Sequence, residues 1–223
     1  MPGLSHSVIW IGSLVIFISF MTAISVNQKL AARIYMRNFY FCPLIALLVS
    51  TNTILNKSFL IYSDSVFYST QFFLDLLYQF FWVHFFLKIF IKKNDLIKIK
   101  ILFVVTLTTV VVLHIFSDHQ KSNLHILSLI NICNTIFCTF FYYKLFKTTP
   151  DKDIRLEPSF WVIAGLFFYS CLSVPFYALN DYIKDSFPLI ASDIFAISNM
   201  ITIIMHFFFL KAYICTLRLY SAQ

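Results

Sequence analysis

Charged side chains and glycine are both scarce in this sequence. Only 12% of the residues are charged and 60% are hydrophobic, whereas about 25% of the residues in a typical soluble domain are charged. This deficit excludes a soluble globular domain. The net charge is +7, but the basic residues form no continuous run that could dock on a phosphate backbone. We therefore also exclude a nucleic-acid-binding protein.

Glycine occurs at three positions, of which only Gly12 and Gly165 lie inside apolar stretches. No Gly-x-x-x-Gly pattern is present, and that pattern is a common means of close approach between membrane helices. We expect bulky side chains, among them 28 phenylalanines, to fill the space between helices instead.

The five cysteines include no Cys-x-x-Cys pair, which argues against a redox motif or a structural zinc site. All five fall within apolar stretches or at their cytosolic ends, where cysteine serves as a small packing residue. The sequence predicts no cofactor and no catalytic residue.

Seven apolar stretches divide the chain. Each approaches the ~20 residues that a helix needs to cross ~30 Å of hydrocarbon. The sequence therefore predicts an all-α polytopic membrane protein, a single seven-helix transmembrane domain over residues 1–223. The predicted spans are approximately Val8–Val26, Phe39–Leu55, Val66–Ile91, Lys98–Phe116, Leu124–Phe146, Ser159–Leu179 and Leu189–Leu210.

Basic residues are distributed unequally between the two sides of these spans. Fourteen of the 17 Lys and Arg residues fall on the side that holds the C-terminus, and only Lys57, Lys121 and Lys184 fall on the other. Short cytoplasmic loops carry the excess of Lys and Arg. We therefore predict an outside N-terminus and a cytosolic C-terminus. The first stretch lacks a basic residue before it and leads into Lys29, so it is interpreted as an uncleaved helix rather than a signal peptide.

Polar residues follow one face of the third, fifth and seventh spans, which all enter from the outer side. Because polar groups at membrane depth are costly and usually face the interior, we expect these stripes to meet. Counted from the span starts, Asp75, Asn134 and Asn199 all lie near ~14 Å of depth. The stripes are Gln71, Asp75, Tyr78, Gln79 and Trp82; Asn131, Asn134, Thr135 and Cys138; and Asn199, Thr202 and His206. From them we take Gln71, Asp75, Gln79, Asn134, Asn199 and His206 as candidate ligand-binding residues.

Asp75 is the strongest of these candidates for a functional site, because no Lys or Arg that could neutralise it lies at a matching depth in any span. A carboxyl group there must be protonated, find a cation or collect several hydrogen-bond donors. Three interpretations follow: a site for a cationic ligand, a site for a proton or sodium ion, or a hydrogen-bonded structural residue.

Other polar residues have weaker interpretations. His84 and His206 could relay protons with Asp75 or simply pack among phenylalanines. The outer residues His114, Asp118, His119 and His125 could bind a divalent ion, but their spacing matches no metal signature, and no metal is predicted.

Lys211 lies too near the cytosolic end for a retinal Schiff base. Pro43 and Pro175 are expected to kink their helices, and Pro175 could open an outer vestibule near Tyr169, Tyr177, Asn180 and Asp181.

The segments EPSFWVIAGLFFYSCLSVPFYALNDY (157–182) and ISNMITIIMHFFFLKAYIC (197–215) resemble the last two helices of a diffuse group of small seven-helix inner-membrane proteins from Bacteroidetes-type bacteria. The resemblance rests on a Pro-x-Phe-Trp helix start and an Asn-containing seventh helix. It implies a sensory or accessory module in a bacterial inner membrane. The orientation also matches G-protein-coupled receptors, but no Asp-Arg-Tyr follows the third span and no Asn-Pro-x-x-Tyr ends the seventh.

The longest predicted connection, Lys147–Pro158, is too short for an additional domain. Any signal output would therefore belong to a separate cytosolic or membrane partner. We predict a receptor-like module in the lipid bilayer that binds a small molecule or lipid. Alternatives are an ion-coupled transporter or channel that uses Asp75 and the asparagines, and a structural subunit of a membrane complex. An enzyme acting on lipid ranks last, because no catalytic set shares one depth.

Overall fold

The fold is taken from a computed structural model and is helical throughout the described part of the chain. Seven α-helices and one short 3-10 turn make up its regular elements. The description covers residues 2–27, 41–59, 64–89, 93–116, 119–148, 153–179, 182–183 and 186–221. The helices are α1 Pro2–Asn27, α2 Phe41–Phe59, α3 Asp64–Ile89, α4 Lys93–Phe116, α5 His119–Thr148, α6 Pro158–Ala178 and α7 Pro188–Ser221, with the turn at Ile154–Leu156.

Each predicted span coincides with one of these helices, and the largest difference is at the end of α7. The prediction ended that span at Leu210, whereas the helix continues to Ser221. Lys211 and Arg218 lower the hydropathy of this last part. Ala212, Tyr213 and Cys215 are nevertheless buried, so packing maintains the helix where hydropathy declines.

Four helices contain apolar segments long enough to cross a membrane, which indicates a membrane protein. Within the described residues, α1, α2 and α4 contain shorter apolar segments. The four long segments are Thr70–Ile89 in α3, His125–Lys147 in α5, Pro158–Ala178 in α6 and Ala196–Arg218 in α7.

Six of the helices pack side by side in a closed ring. The order around the ring is α1, α2, α3, α5, α6 and α7, and α7 packs back against α1. Helix α4 lies outside, against α3 and α5. Tyr78 of α3 contacts Met205 of α7, and one turn later Trp82 contacts Phe209, so α3 and α7 run in the same direction.

The outer surface of the bundle is apolar. Helix α1 exposes Trp10, Leu14 and Phe17, and about 60% of the Trp10 surface is accessible. A soluble monomer rarely exposes an apolar surface of this extent. A stripe on α7 shows the same feature and ends in two cations, as on helices that extend from hydrocarbon to headgroups. Its residues are Ile197, Met200, Ile204, Phe207, Lys211, Ile214 and Arg218.

The turn between α5 and α6 fixes one end of the bundle, which we call the basic end. The carbonyl oxygen of Arg155 accepts hydrogen bonds from Trp161 Nε1 of α6 at 2.7 Å and from Cys215 Sγ of α7 at 3.6 Å. Lys211 Nζ lies over the Trp161 ring, 5.6 Å from its centroid. Exposed cations at this end are Lys88, Lys147, Arg155, Lys211 and Arg218. The opposite end is called the far end.

Asp153 caps this turn. Its Oδ1 atom accepts hydrogen bonds from both the Nε and the backbone nitrogen of Arg155, each at 3.1 Å. These bonds hold the pKa of the Asp153 carboxyl below its ordinary value. Because both side chains are well exposed, the pair orders the turn locally and contributes little to the stability of the bundle.

Gly165 is a point of close approach between α6 and α7. A Cβ atom at this position would lie 2.8 Å from Phe208 Cβ and 3.0 Å from the carbonyl oxygen of Met205. Both distances are shorter than ordinary van der Waals contact. The expectation that bulky side chains alone fill the space between helices is therefore wrong here. A single glycine is sufficient where the facing helix presents its backbone.

The two internal prolines differ in position. Helix α2 begins at Phe41, so Pro43 lies in its first turn, where a missing N–H group costs no helical hydrogen bond. Because the residues before Phe41 are not described, the kink at Pro43 stays a prediction. Pro175 lies inside α6. Its carbonyl oxygen accepts a hydrogen bond from the Leu179 nitrogen at 3.0 Å, so helical bonding resumes after the proline.

Candidate functional site

The polar stripe predicted on α3 contains an internal hydrogen bond. Gln71 Nε2 donates to Asp75 Oδ1 at 3.4 Å, one helical turn away. Both residues are half-buried. A single long bond from a neutral amide leaves most of the hydrogen-bonding capacity of the carboxyl group available. Asp75 therefore can accept further hydrogen bonds from a ligand or a neighbouring side chain.

Two tyrosines of α6 lie close to this carboxyl group. The hydroxyl oxygens of Tyr169 and Tyr177 are 3.2 Å apart, although the residues are two helical turns apart. Asp75 lies within electrostatic range of both, and Ser198 of α7 lies near Tyr177. Helices α3, α6 and α7 thus meet at one group of side chains. We call Gln71, Asp75, Tyr169, Tyr177 and Ser198 the polar cluster.

Tyr78 connects the polar cluster to α2 and α7. Its hydroxyl group accepts a hydrogen bond from Cys42 Sγ at 3.6 Å and donates to Met205 Sδ at 4.0 Å. It also interacts electrostatically with Tyr169. Tyr78 was predicted to share a face with Asp75. Its partners could not be predicted, because they depend on how the helices are rotated against one another.

Several buried polar atoms lie closer to the basic end than the polar cluster does. The described residues supply no hydrogen-bond partner for them. These atoms include the side-chain carbonyl oxygens of Gln79 and Asn134 and both ring nitrogens of His206. His206 is fully buried, and Gln79 and Asn134 are 4% and 2% exposed. A buried polar group without a partner costs ~1–3 kcal/mol. Each such group therefore needs a partner, and a bound ligand or water molecule would supply one.

An aromatic layer follows on the side of the basic end. We define it as Trp82 and Phe86 of α3, Phe137 of α5, and Phe209 and Tyr213 of α7; all five are buried. Ring centroids lie 5.9 Å apart for Trp82 and Phe209, and 5.3 Å apart for Phe86 and Phe137. Along α3 and α7, the polar cluster thus lies toward the far end and the aromatic layer toward the basic end.

The remaining polar residues of the predicted stripes bond locally. Asn131 Nδ2 donates to the carbonyl oxygen of Leu127, and Thr202 Oγ1 donates to that of Ser198. Both bonds join residues four apart on one helix, a common way to satisfy polar side chains in membrane helices. Residues with such partners are less suitable as ligand contacts than Gln79 or Asn134.

The structure shows a hydrogen bond between two of the six predicted ligand-binding residues. Gln71 bonds Asp75, whereas Asn134 makes no hydrogen bond to it. Asn199 is half-buried next to Ser198. His206 packs edge-on against the Phe209 ring at 5.2 Å, and His84 is exposed, which separates the two histidines of the suggested relay. A role of these residues in ligand binding remains a prediction.

Most of the side chains considered for a divalent-ion site or an outer vestibule lie outside the part of the chain that the structure describes. Asp118, Asn180 and Asp181 are not described, nor are the side chains of His114 and His119; His125 is exposed. Among the side chains that are described, no three of His, Cys, Asp and Glu come together.

No protein-family model matches this chain, and no curated protein or solved structure is similar to it. Its function must therefore be inferred from the interior residues themselves.

Proposed function

We propose that the protein is a seven-span receptor-like module that binds a small ligand in the polar cluster and signals to a separate partner protein. Two features support this proposal: the polar cluster lies toward the far end, and the aromatic layer lies between it and the basic end. In such a receptor the ligand would enter from the far end only.

The orientation follows from the distribution of basic residues. The basic end faces the cytosol, and the polar cluster faces the outside of a bacterial inner membrane. Helices α1, α2 and α4 cross the bilayer with the four longer helices, because they complete or flank the same bundle. Asp75 lies eleven residues from the start of α3, or ~16 Å at 1.5 Å per residue.

A cysteine-labelling experiment tests this orientation. In a Cys171→Ser background, which removes the exposed cysteine, Ser122→Cys should react in intact cells with a thiol reagent that cannot cross membranes. Asp153→Cys should react only after the cells are opened, because the capped turn faces the cytosol. The reverse pattern would show that the basic end is outside.

Helix α7 links the site to the cytosol. Ser198 belongs to the polar cluster, Phe209 to the aromatic layer, and Cys215 bonds the Arg155 carbonyl oxygen at the basic end. A ligand that shifts α7 would therefore shift the turn that presents Arg155 to a cytosolic partner. The aromatic packing between Trp82 and Phe209 would carry the same shift to α3.

The aromatic layer also distinguishes a receptor from a transporter or channel. An ion crossing the bundle would have to pass Trp82, Phe86 and Phe209, whose side chains provide no site for it. We therefore expect liposomes that contain the purified protein to show no flux of sodium ions or protons. Flux that is lost in Asp75→Asn would favour the ion-coupled transporter instead.

Accessibility along α7 tests the proposed function directly. Ser198 and Met205 lie on the same face of α7, two turns apart, but Ser198 is half-buried and Met205 is 2% exposed. In the Cys171→Ser background, Ser198→Cys should react with a small impermeant thiol reagent added outside. Met205→Cys should not react from either side. Labelling of Met205→Cys from both sides would indicate a continuous pore and contradict the proposal.

A further inference from the structure

We infer that the ligand of the polar cluster is a small organic cation that carries an ammonium group and a second hydrogen-bond donor. This inference rests on the proposed function and specifies the chemistry of the same site. Three observations carry it: the carboxyl group of the cluster, the tyrosine rings near that group and the acceptor atoms one turn deeper.

The charge of the ligand is inferred from Asp75. It is the only carboxyl group of the cluster, its described bonding partner Gln71 is neutral, and a cation beside it would favour its ionised form. All described Lys and Arg side chains are exposed or half-buried. Lys88, Lys147 and Lys211 lie at the basic end, on the other side of the aromatic layer from Asp75. A ligand with one positive charge would compensate the carboxylate, and burial would strengthen the resulting hydrogen bond.

Three tyrosines lie near this carboxyl group. Tyr169 and Tyr177 of α6 are within electrostatic range of it and their hydroxyl oxygens are 3.2 Å apart, whereas Tyr78 lies one turn further along α3, edge-on to Trp82 with ring centroids 5.8 Å apart. The faces of tyrosine rings attract ammonium groups and their methylated forms. A sodium ion instead prefers a shell of oxygen ligands, which the ring faces do not supply. The ring faces therefore favour an organic ammonium, and the hydroxyl oxygens of the cluster can accept its hydrogen bonds.

The unpartnered acceptor atoms on the side of the cluster nearer the basic end indicate what the second polar group of the ligand must be. Gln79 lies four residues after Asp75 on the same face, ~6 Å deeper along the helix axis. Its buried carbonyl oxygen and that of Asn134 are acceptors. A hydroxyl or a second amine at this distance from the ammonium group would satisfy them. Amino alcohols and diamines with a four-carbon chain have this length.

The inference is tested with aminobutanol, diaminobutane and uncharged butanediol as probes. Their effect on thermal unfolding of the purified protein and their affinities by calorimetry should be measured at neutral pH. We expect both amines to bind and stabilise the protein, and butanediol to do neither. Asp75→Asn keeps the shape of the side chain and should weaken amine binding at least tenfold. Asp153→Asn, which removes the exposed carboxylate at the basic end, should leave amine binding unchanged.

Several outcomes would overturn the inference. One is the absence of binding by both amines at millimolar concentration; another is equal binding by Asp75→Asn. A third is stabilisation that depends on Asp75 but responds to sodium in place of potassium and not to amines. In each case, outside labelling of Ser198→Cys without labelling of Met205→Cys would leave the proposed function standing. Failure of that labelling pattern would remove the receptor proposal itself.

Discussion

A single methyl group at residue 165 should destabilise the bundle. In Gly165→Ala the new Cβ atom would meet Phe208 Cβ at 2.8 Å, the Met205 carbonyl oxygen at 3.0 Å and Phe209 Cε1 at 3.2 Å. A backbone oxygen cannot rotate away, so α6 and α7 must separate. Overpacking of this kind costs ~1–3 kcal/mol. The measurement is thermal unfolding of the purified protein in one detergent.

Gly12→Ala is the matched control. The nearest atom to a Cβ at that position is Ile203 Cγ1, at 3.7 Å, which is an ordinary contact distance. Both substitutions replace glycine by alanine inside a helix, so helix propensity changes equally in the two variants. If Gly165→Ala unfolds at or above the temperature of Gly12→Ala, the close approach of α6 and α7 is not as described.

Removing the indole ring of Trp82 should have the largest effect of any substitution in the interior. Trp82 is fully buried and contacts Tyr78, Phe85, Phe86 and Phe209. Truncation of such a residue typically costs ~3–5 kcal/mol, because the surrounding groups cannot fill the space. We expect Trp82→Ala to unfold at a much lower temperature than the native protein, and Trp82→Phe to recover part of the loss.

Trp10→Ala provides the comparison, because about 60% of Trp10 is exposed on the outside of α1. The two variants lose the same atoms, and only their packing differs. Trp10→Ala should change the unfolding temperature little. Similar losses in both variants would mean that the aromatic layer is not a packed unit. The proposed separation of the outer site from the cytosol would then lose its basis.

The helices could be predicted from the sequence because each requires only a long apolar run. The spacing of four residues placed Gln71 and Asp75 on one helical face whatever surrounds them, and the structure adds the hydrogen bond between them. Relations between helices were harder to predict. The approach of Tyr169 and Tyr177 to Asp75, and the contact of Cys42 with Tyr78, depend on how each helix is rotated in the ring, and hydropathy does not encode that rotation.

Gly165 illustrates the same limit. An isolated glycine in an apolar run looks like any other glycine in the sequence. Its importance comes from the Met205 carbonyl oxygen and the Phe208 side chain opposite it. The polar stripes identified Gln79 and Asn134 as interior residues, but only the packed bundle leaves their carbonyl oxygens without partners. Sequence patterns thus located the interior faces, and packing determined what those faces contain.

The closure of the ring by α1 and α7 has a consequence for biogenesis. Five helices separate these two partners along the chain, so α1 is synthesised long before α7. Gly12 and Ile203 can meet only after all the intervening helices have been made. Until then the face of α1 that holds Ser19, fully buried in the finished bundle, lacks its partner helix. Assembly of the polar cluster, which includes Ser198 of α7, therefore has to be one of the last events in folding.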